Sequence, residues 1–216
     1  MKFNALVERL RAALAQELPG AAAHSLMAPR PRREWPAGFN AARVRHAAGL
    51  LLIFPIEDEA HVVLTVRADT VRHGGQVSLP GGVAEPGETY EQAALREALE
   101  EVALAPETVR VLGALTPLDI PVSGFRLHPI VGASESRPVL APADGEVASI
   151  LEVSVAALCD PERRASLIIG RDGREIVAPA FRIGEVNIWG ATAMVLAEFM
   201  VAVGWDPDAR TLKLEV

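Results

Sequence analysis

The chain has 216 residues, half of them hydrophobic, and this length and composition predict a globular protein with one main domain. Its formal net charge of −7 argues against non-specific binding to nucleic acid, which depends on a basic surface. A single cysteine, Cys159, excludes an internal disulfide framework. No stretch approaches the roughly 20 apolar residues of a membrane-spanning helix. We therefore expect a cytoplasmic protein with neither a nucleic-acid nor a membrane partner.

The first forty residues are predicted to form a helix and an irregular arm. Leucines recur every four residues from Leu6 to Leu18, which is typical of an amphipathic helix, and residues 4–18 are assigned to it. Pro19-Gly20 ends this helix. Residues 19–46 are rich in proline, alanine and arginine and predict irregular structure. We therefore divide the chain into an N-terminal helix and arm, residues 1–40, and a main domain, residues 41–216.

The main domain alternates strands and helices. Apolar runs at 47–55 and 61–67 predict a hairpin that turns at the acidic segment 57–59, and a glycine-rich segment, 74–87, leads into a helix over 88–102. Further strands are predicted at 108–118, 125–133 and 147–153, a short helix at 154–160 and a second hairpin at 165–182. The last helix is predicted over 188–203, with Trp189 on its packing face. This order predicts an α+β fold with helices packed on a mixed sheet.

The helix over 88–102 carries a concentrated group of acidic side chains. Glu97, Glu100 and Glu101 fall within a roughly 100° arc of the helix surface, and Leu99 and Val102 fall on the side predicted to be buried. Three converging carboxylates provide the oxygen ligands that a hard divalent cation requires. The alternative is an acidic, solvated helix face with no ligand.

The surroundings of this helix resemble the Nudix box. Five residues separate Gly82 from Glu88, seven more precede Arg96, and the glutamates follow with the spacing of that motif. Ala103 replaces the final glycine of the motif. If that position needs a left-handed backbone, alanine adopts it only at an energetic cost. The resemblance implies an α/β/α sandwich that hydrolyses a pyrophosphate bond with Mg²⁺ or Mn²⁺. It assigns the metal ligands to the carboxylates of Glu97, Glu100 and Glu101, with a backbone carbonyl at Gly81 or Gly82 as a further ligand. It gives Arg96 an orienting role beside Glu88, and leaves the general base open between box glutamates (Glu100 or Glu101) and a loop acid, for which Glu146 is the candidate.

The segment before the box resembles that of coenzyme A pyrophosphatases within the same superfamily. The resemblance rests on Val63 to Ala68 and on Arg72 to Gly82, although the stretch between Arg72 and Gly75 is one residue shorter than usual and Leu79 replaces a phenylalanine. It rests also on residues 115–118, 123–125, 128–129 and 188–193. It implies that the pyrophosphate is gripped by Arg67 and Arg72, because arginine binds phosphate bidentately, and that Gln76 and Ser78 hydrogen-bond the substrate.

Several alternatives remain open at this point. As an enzyme, the protein would act on coenzyme A or an acyl derivative, or on another nucleoside diphosphate derivative such as ADP-ribose or NADH. The alternative is a catalytically inactive domain that binds a nucleotide as a sensor. The resemblance also allows a homodimer. The arginines of the arm, Arg30, Arg32 and Arg33, are interpreted as part of a flexible solvated linker in preference to a contact for a substrate phosphate.

Overall fold

A computed structural model describes residues 1–68, 75–143, 145–171 and 173–206. The α-helices described are α1 (Phe3–Leu14), α2 (Gly20–Leu26), α3 (Tyr90–Val102), α4 (Val155–Cys159) and α5 (Gly190–Ala202), and short 3-10 helices cover Ala41–Arg43, Pro106–Thr108 and Pro161–Arg163. The strands are β1 (Arg45–Ile56), β2 (Glu59–Arg67), β3 (Val77–Ser78), β4 (Gly81–Val83), β5 (Arg110–Ala114), β6 (Leu118–Ile120), β7 (Phe125–Ala133), β8 (Val147–Ser154), β9 (Arg164–Arg171), β10 (Arg174–Ile183) and β11 (Val186–Trp189). No helix in these ranges is long and apolar enough to cross a membrane.

The strands form two sheets. The larger one has the order β3-β2-β1-β7-β5, with β4 beside β1, β6 beside β7 and β8 beside β2. Strands β1 and β7 are parallel and the other pairs are antiparallel, so the sheet is mixed as predicted. The smaller sheet has the order β11-β10-β9. The β1–β2 hairpin turns at Glu57 and Asp58, both with positive φ, which matches the predicted acidic turn.

Helices cover both faces of the larger sheet. On one face, Ala93, Ala94 and Ala98 of α3 pack against the apolar side of β1, where small side chains let the helix approach closely. On the other face, α1 and α5 pack around a second apolar cluster that includes Leu6 and Leu196. The fold is therefore the expected α+β fold, an α/β/α sandwich.

The buried stripe of α3 differs from the prediction. Val102 is buried as expected, but Leu99 is 46% exposed, and the helix packs through its alanines and buries Glu101. The helix is thus rotated towards the sheet on its alanine side, which turns Glu101 inward and Leu99 outward.

The N-terminal segment is more ordered than the sequence pattern predicts. Helix α1 ends at Leu14 and contributes Phe3, Leu6, Val7 and Leu10 to the core of the sandwich. A second helix, α2, lies within the stretch that was assigned to irregular structure. Its His24 hydrogen-bonds the buried carboxylate of Glu198 on α5 at 2.8 Å, a long-range contact that local propensity does not reveal. The division at residue 40 remains a prediction.

The C-terminal helix starts later than predicted. Ile188 and Trp189 belong to β11, which pairs with β10, and α5 begins at Gly190. Met194 and Leu196 are buried as expected for the packing face, whereas Trp189 is only partly buried. Cys159 is buried, as expected for a small core side chain, and burial raises the pKa of its thiol to about 11.

Candidate active site

Helix α3 is held at its start by reciprocal side-chain caps. Thr89 accepts a hydrogen bond from the backbone N–H of Gln92 (3.2 Å), and the Gln92 side chain accepts one from the backbone N–H of Thr89 (2.9 Å). This capping box satisfies two N–H groups that would otherwise lack partners at the helix end. The cap therefore sets where the helix begins and, with it, where its acidic side chains lie.

Two glycines let strand β4 approach the acidic side chains closely. A Cβ atom on Gly81 would lie 2.2 Å from the carbonyl oxygen of Ala48, and one on Gly82 would lie 2.5 Å from the carboxylate of Glu97. The N–H of Gly81 donates to Oε2 of Glu101 at 3.0 Å. The Gly81-Gly82 backbone therefore forms a cradle with room for the carboxylates of Glu97 and Glu101 and for no additional side chain.

Arg96 organises the exposed side of the same helix. Its guanidinium donates through Nε and Nη2 to the two carboxylate oxygens of Glu88 (2.8 and 3.1 Å), which is the pair that the motif implied. It also donates through Nη1 to Glu97 (3.0 Å) and Glu100 (3.1 Å), and through Nη2 to the carbonyl of Val83. The Arg96 hydrogen bonds hold the pKa of Glu88 below its usual value. Arg96 thus ties α3 to the segment that precedes it.

The three box glutamates have unequal surroundings. Glu101 is 5% exposed, Glu97 is partly buried and the side chain of Glu100 is 54% exposed. Burial raises the pKa of Glu97, although the hydrogen bond from Arg96 opposes this effect. A partly desolvated carboxylate of this kind gains most from a nearby cation.

The side chains do not converge on one point as predicted. Glu97 and Glu100 both face Arg96, whereas Glu101 turns to the amide of Gly81. Within the described ranges, no three histidine, cysteine or acidic side chains form a ready metal cluster. The residues nevertheless fit a divalent cation by chemistry, because all three are carboxylates on adjoining faces of one helix and two of them lie against the backbone of the glycine cradle.

Ala103 adopts the left-handed conformation that the missing glycine would favour. Its φ is 55° and its ψ is 27°, and it ends α3 with its N–H directed at the carbonyls of Ala98 and Leu99. The motif geometry is therefore kept despite the substitution, at the conformational cost of a left-handed alanine.

Three of the four predicted substrate-binding residues, Arg67, Gln76 and Ser78, lie near one another. Arg67, at the end of β2, donates to the Glu146 carboxylate at 3.2 Å, although 79 positions separate the two residues in the chain. The backbone of Arg67 bonds Gln76, and the hydroxyl of Ser78 hydrogen-bonds that of Thr65 at 2.9 Å. Arg72 lies outside the described residues.

Arg67, Gln76 and Ser78 border a cavity of about 890 Å³ on the sheet face opposite α3. The cavity is also lined by residues from the other segments that resemble coenzyme A pyrophosphatases, namely Leu118, Ser123, Trp189, Gly190, Ala191 and Thr192. Ser78 precedes Gly81 by three residues, so the cavity wall lies within about 10 Å of the glycine cradle along the chain. The box carboxylates do not border the cavity.

The sequence did not predict that several other residues border the cavity. Trp189 was assigned to helix packing but borders the cavity, and Thr192 fixes the nearby strand by donating to the carbonyl of Val77 at 2.9 Å. Arg32 and Arg33 of the arm also border it. Two adjacent arginines in a chain of net charge −7 could have indicated an anion-binding role for the arm. Only the fold shows that the arm lies beside the cavity.

Comparison with known proteins identifies the family of this domain. The model of the NUDIX domain matches residues 45–169. A protein of Klebsiella pneumoniae (strain 342) named "Uncharacterized Nudix hydrolase NudL" is 34% identical over 84% of this chain and 92% of its own length. The protein of the same name from Enterobacter sp. (strain 638) is 33% identical over 76% of this chain and 85% of that relative.

A solved structure supports the fold. A MutT/nudix family protein from Enterococcus faecalis superposes with a TM-score of 0.51 over 81% of this chain and 68% of that protein, at 17% identity. At this identity the likeness concerns the fold alone. The domain match and the relatives establish the family: the chain belongs to the Nudix hydrolases and is a pyrophosphohydrolase.

Proposed function

We propose that this Nudix hydrolase cleaves the pyrophosphate bond of coenzyme A or an acyl derivative, giving adenosine 3′,5′-bisphosphate and a phosphopantetheine. One observation carries the proposal: the segments that resemble coenzyme A pyrophosphatases are distant in sequence yet border one cavity of about 890 Å³. The cavity combines apolar walls, such as Trp189 and Met194, with polar groups from Arg67 and Gln76. Such a lining suits a long arm of methylene, methyl and amide groups attached to a charged diphosphate.

We assign the metal site to the acidic helix. Glu97, Glu100 and Glu101 would hold Mg²⁺ or Mn²⁺, together with a backbone carbonyl at Gly81 or Gly82. A bound divalent cation neutralises phosphoryl charge and activates water. The amide of Gly81 restrains the buried Glu101, and Arg96 restrains Glu97 and Glu100, so a cation bound by all three would share Glu97 and Glu100 with Arg96.

Arg67, with Arg72, is assigned to the pyrophosphate, because a guanidinium fork matches phosphate oxygens. Glu146 is our candidate for the general base. It lies beside Arg67, where its carboxylate would accept a proton from the attacking water while the P–O–P bridge breaks and the bridging oxygen leaves with one phosphate. Glu100 and Glu101 remain the alternative bases within the box.

A substrate panel tests the proposal. Coenzyme A, an acyl-coenzyme A, ADP-ribose, NADH and a diadenosine polyphosphate are incubated with Mg²⁺ or Mn²⁺, and products are resolved by chromatography. We expect coenzyme A or its acyl derivative to give the highest kcat/KM. A clear preference for ADP-ribose or NADH would reject the substrate assignment, and nucleotide binding without any turnover would favour a sensor.

A matched pair of variants tests the metal assignment. Glu101→Gln retains an acceptor for the Gly81 amide but removes the charge, and we expect kcat to fall by at least about a hundredfold, as for loss of a group that stabilises the transition state. Glu91→Gln, on the exposed first turn of the same helix, serves as the control. Thermal unfolding of both variants shows that the fold is intact. Near-wild-type turnover of folded Glu101→Gln would reject the metal role.

A further inference from the structure

The N-terminal arm is anchored as a wall of the substrate cavity. The backbone N–H of Arg30 donates to the carbonyl of Val177 (2.8 Å), and the N–H of Val177 donates back to the carbonyl of Arg30 (3.0 Å). This bridge attaches the arm to β10, within the smaller sheet. The interpretation of the arm as a flexible linker is therefore wrong at Arg30, and the two residues that follow Pro31 have a defined place.

The other end of this segment is also held in place. Trp35 stacks on Phe39 with ring centroids 4.4 Å apart and hydrogen-bonds the side chain of Asp119. Arg32 and Arg33 lie between these two attachments. Both side chains are exposed, and both border the large cavity and an adjoining cavity of about 470 Å³. Two cations are thus presented from a backbone that is fixed on both sides.

The local charge is positive in an otherwise acidic chain. Arg32, Arg33 and Arg67 border the large cavity, whose charged lining also includes Glu34 and Asp119. Asp119 already pairs with Arg126, which donates to its two oxygens at 2.7 and 3.1 Å. Asp119 is therefore largely neutralised by a residue outside the cavity, so the two arginines of the arm outnumber the other acidic side chain of this lining, Glu34, and favour an anion.

We propose that Arg32 and Arg33 form a second anion-binding subsite of the cavity, which binds a phosphomonoester of the substrate that is not cleaved. The inference rests on the proposed function and deepens it, because coenzyme A carries such a phosphate on its ribose and ADP-ribose and NADH do not. Arg67 lies on β2 and Arg32 and Arg33 lie on the arm, so different elements bind the diphosphate and the phosphomonoester. The adjoining cavity, with Trp35 in its wall, provides room beside the subsite.

Binding measurements test the subsite without requiring turnover. Adenosine 3′,5′-bisphosphate and AMP are titrated by calorimetry, in the presence of Mg²⁺, into the wild type and the Arg32→Ala/Arg33→Ala variant. We expect the wild type to bind the bisphosphate more tightly, and the variant to lose at least about tenfold of that affinity, as for loss of a charge-assisted hydrogen bond. The affinity for AMP should change by no more than about twofold.

Two further variants separate local from general effects. Arg11→Ala/Arg43→Ala removes the same charge from exposed positions outside the cavity and should bind both nucleotides like the wild type. Arg32→Lys/Arg33→Lys keeps the charge but not the fork, and should recover part of the lost affinity. Equal affinity of the wild type for the two nucleotides, absence of binding, or equal weakening of both by the alanine variant would overturn the subsite.

Kinetics distinguish this inference from the proposed substrate. With coenzyme A and 3′-dephospho-coenzyme A, we expect the alanine variant to raise KM at least about tenfold for the first and much less for the second. If the wild type cleaves neither compound but still discriminates the two nucleotides, the substrate is wrong and the subsite stands. If the wild type cleaves coenzyme A and the variant treats both compounds alike, the subsite is wrong and the substrate stands.

Discussion

Replacing Ala103 with glycine should stabilise this protein. Ala103 ends α3 with a φ of 55° and a ψ of 27°, a conformation that costs an L-residue with a Cβ atom about 1–2 kcal/mol. Its side chain is exposed, so removing the methyl group sacrifices little packing. Glycine has more conformational freedom in the unfolded chain, which offsets about 0.4–1 kcal/mol of the gain.

The free energy of unfolding of Ala103→Gly should therefore rise by about 0.5–1 kcal/mol. For a chain of this size, that corresponds to an increase in Tm of roughly 1–4 °C. Urea denaturation followed by circular dichroism measures the first quantity, and thermal unfolding measures the second.

A glycine at an ordinary helical position provides the control. Ala5 is exposed within α1, and Ala5→Gly should lower the free energy of unfolding by about 0.5–1 kcal/mol, because glycine there only adds unfolded-state freedom. Opposite signs for the two substitutions would support the argument. Destabilisation of Ala103→Gly to the same extent as Ala5→Gly would show that position 103 carries no left-handed strain.

Three further predictions concern the cradle, a buried glutamate and a partly buried histidine. Gly82→Ala places a Cβ atom 2.5 Å from the Glu97 carboxylate and should weaken Mn²⁺ binding, measured by calorimetry, at least about tenfold. Gly170→Ala has open space around the added atom and should leave the Mn²⁺ affinity unchanged. Equal Mn²⁺ affinities of the two variants would contradict the role of Gly82 in the metal site. Glu198→Gln should lower the free energy of unfolding by about 2 kcal/mol at neutral pH. Burial raises the pKa of Glu198, but its hydrogen bonds have the larger combined effect and lower the pKa below its usual value of 4.5. The wild type should therefore be more stable than Glu198→Gln above pH 4.5, and this difference in the free energy of unfolding should disappear as the pH falls further. A difference that stays constant in urea denaturation across that pH range would refute the prediction. Burial and a neighbouring histidine lower the pKa of His128 to about 4, so NMR titration should find its imidazole neutral in mildly acidic solution, and protonation near its usual 6.5 would be the contrary result.

Much of the fold was predictable because its signals are local. The β1–β2 hairpin follows from two apolar runs and an acidic turn, and α3 follows from helical periodicity. The prediction failed where a distant partner decides the outcome. Helix α2 was missed because its buried His24 depends on Glu198. Ile188 and Trp189 of β11 were assigned to the following helix because the pairing of β11 with β10 is not encoded locally.

The candidate site divides in the same way. The spacing of Gly82, Glu88 and Arg96 carried the family resemblance that implied the Arg96–Glu88 pair. Helical periodicity predicted that the acidic side chains share one helix, because residues on one helix have fixed relative positions. The inward turn of Glu101 and the exposure of Leu99 were not predictable, since they depend on how α3 is rotated against the sheet. Helical periodicity sets neighbours along a helix but not which face the sheet covers.

The sequence alone determined the type of chemistry, through carboxylates, glycines and an arginine at set spacings within one short stretch. Only the tertiary structure decided what surrounds that chemistry: it placed Arg67 beside Glu146, and it attached the arm at Arg30 to β10, which brings Arg32 and Arg33 to the cavity. The physical reason is that short-range spacing is dictated by backbone geometry, whereas the meeting of distant segments depends on how sheets and helices pack.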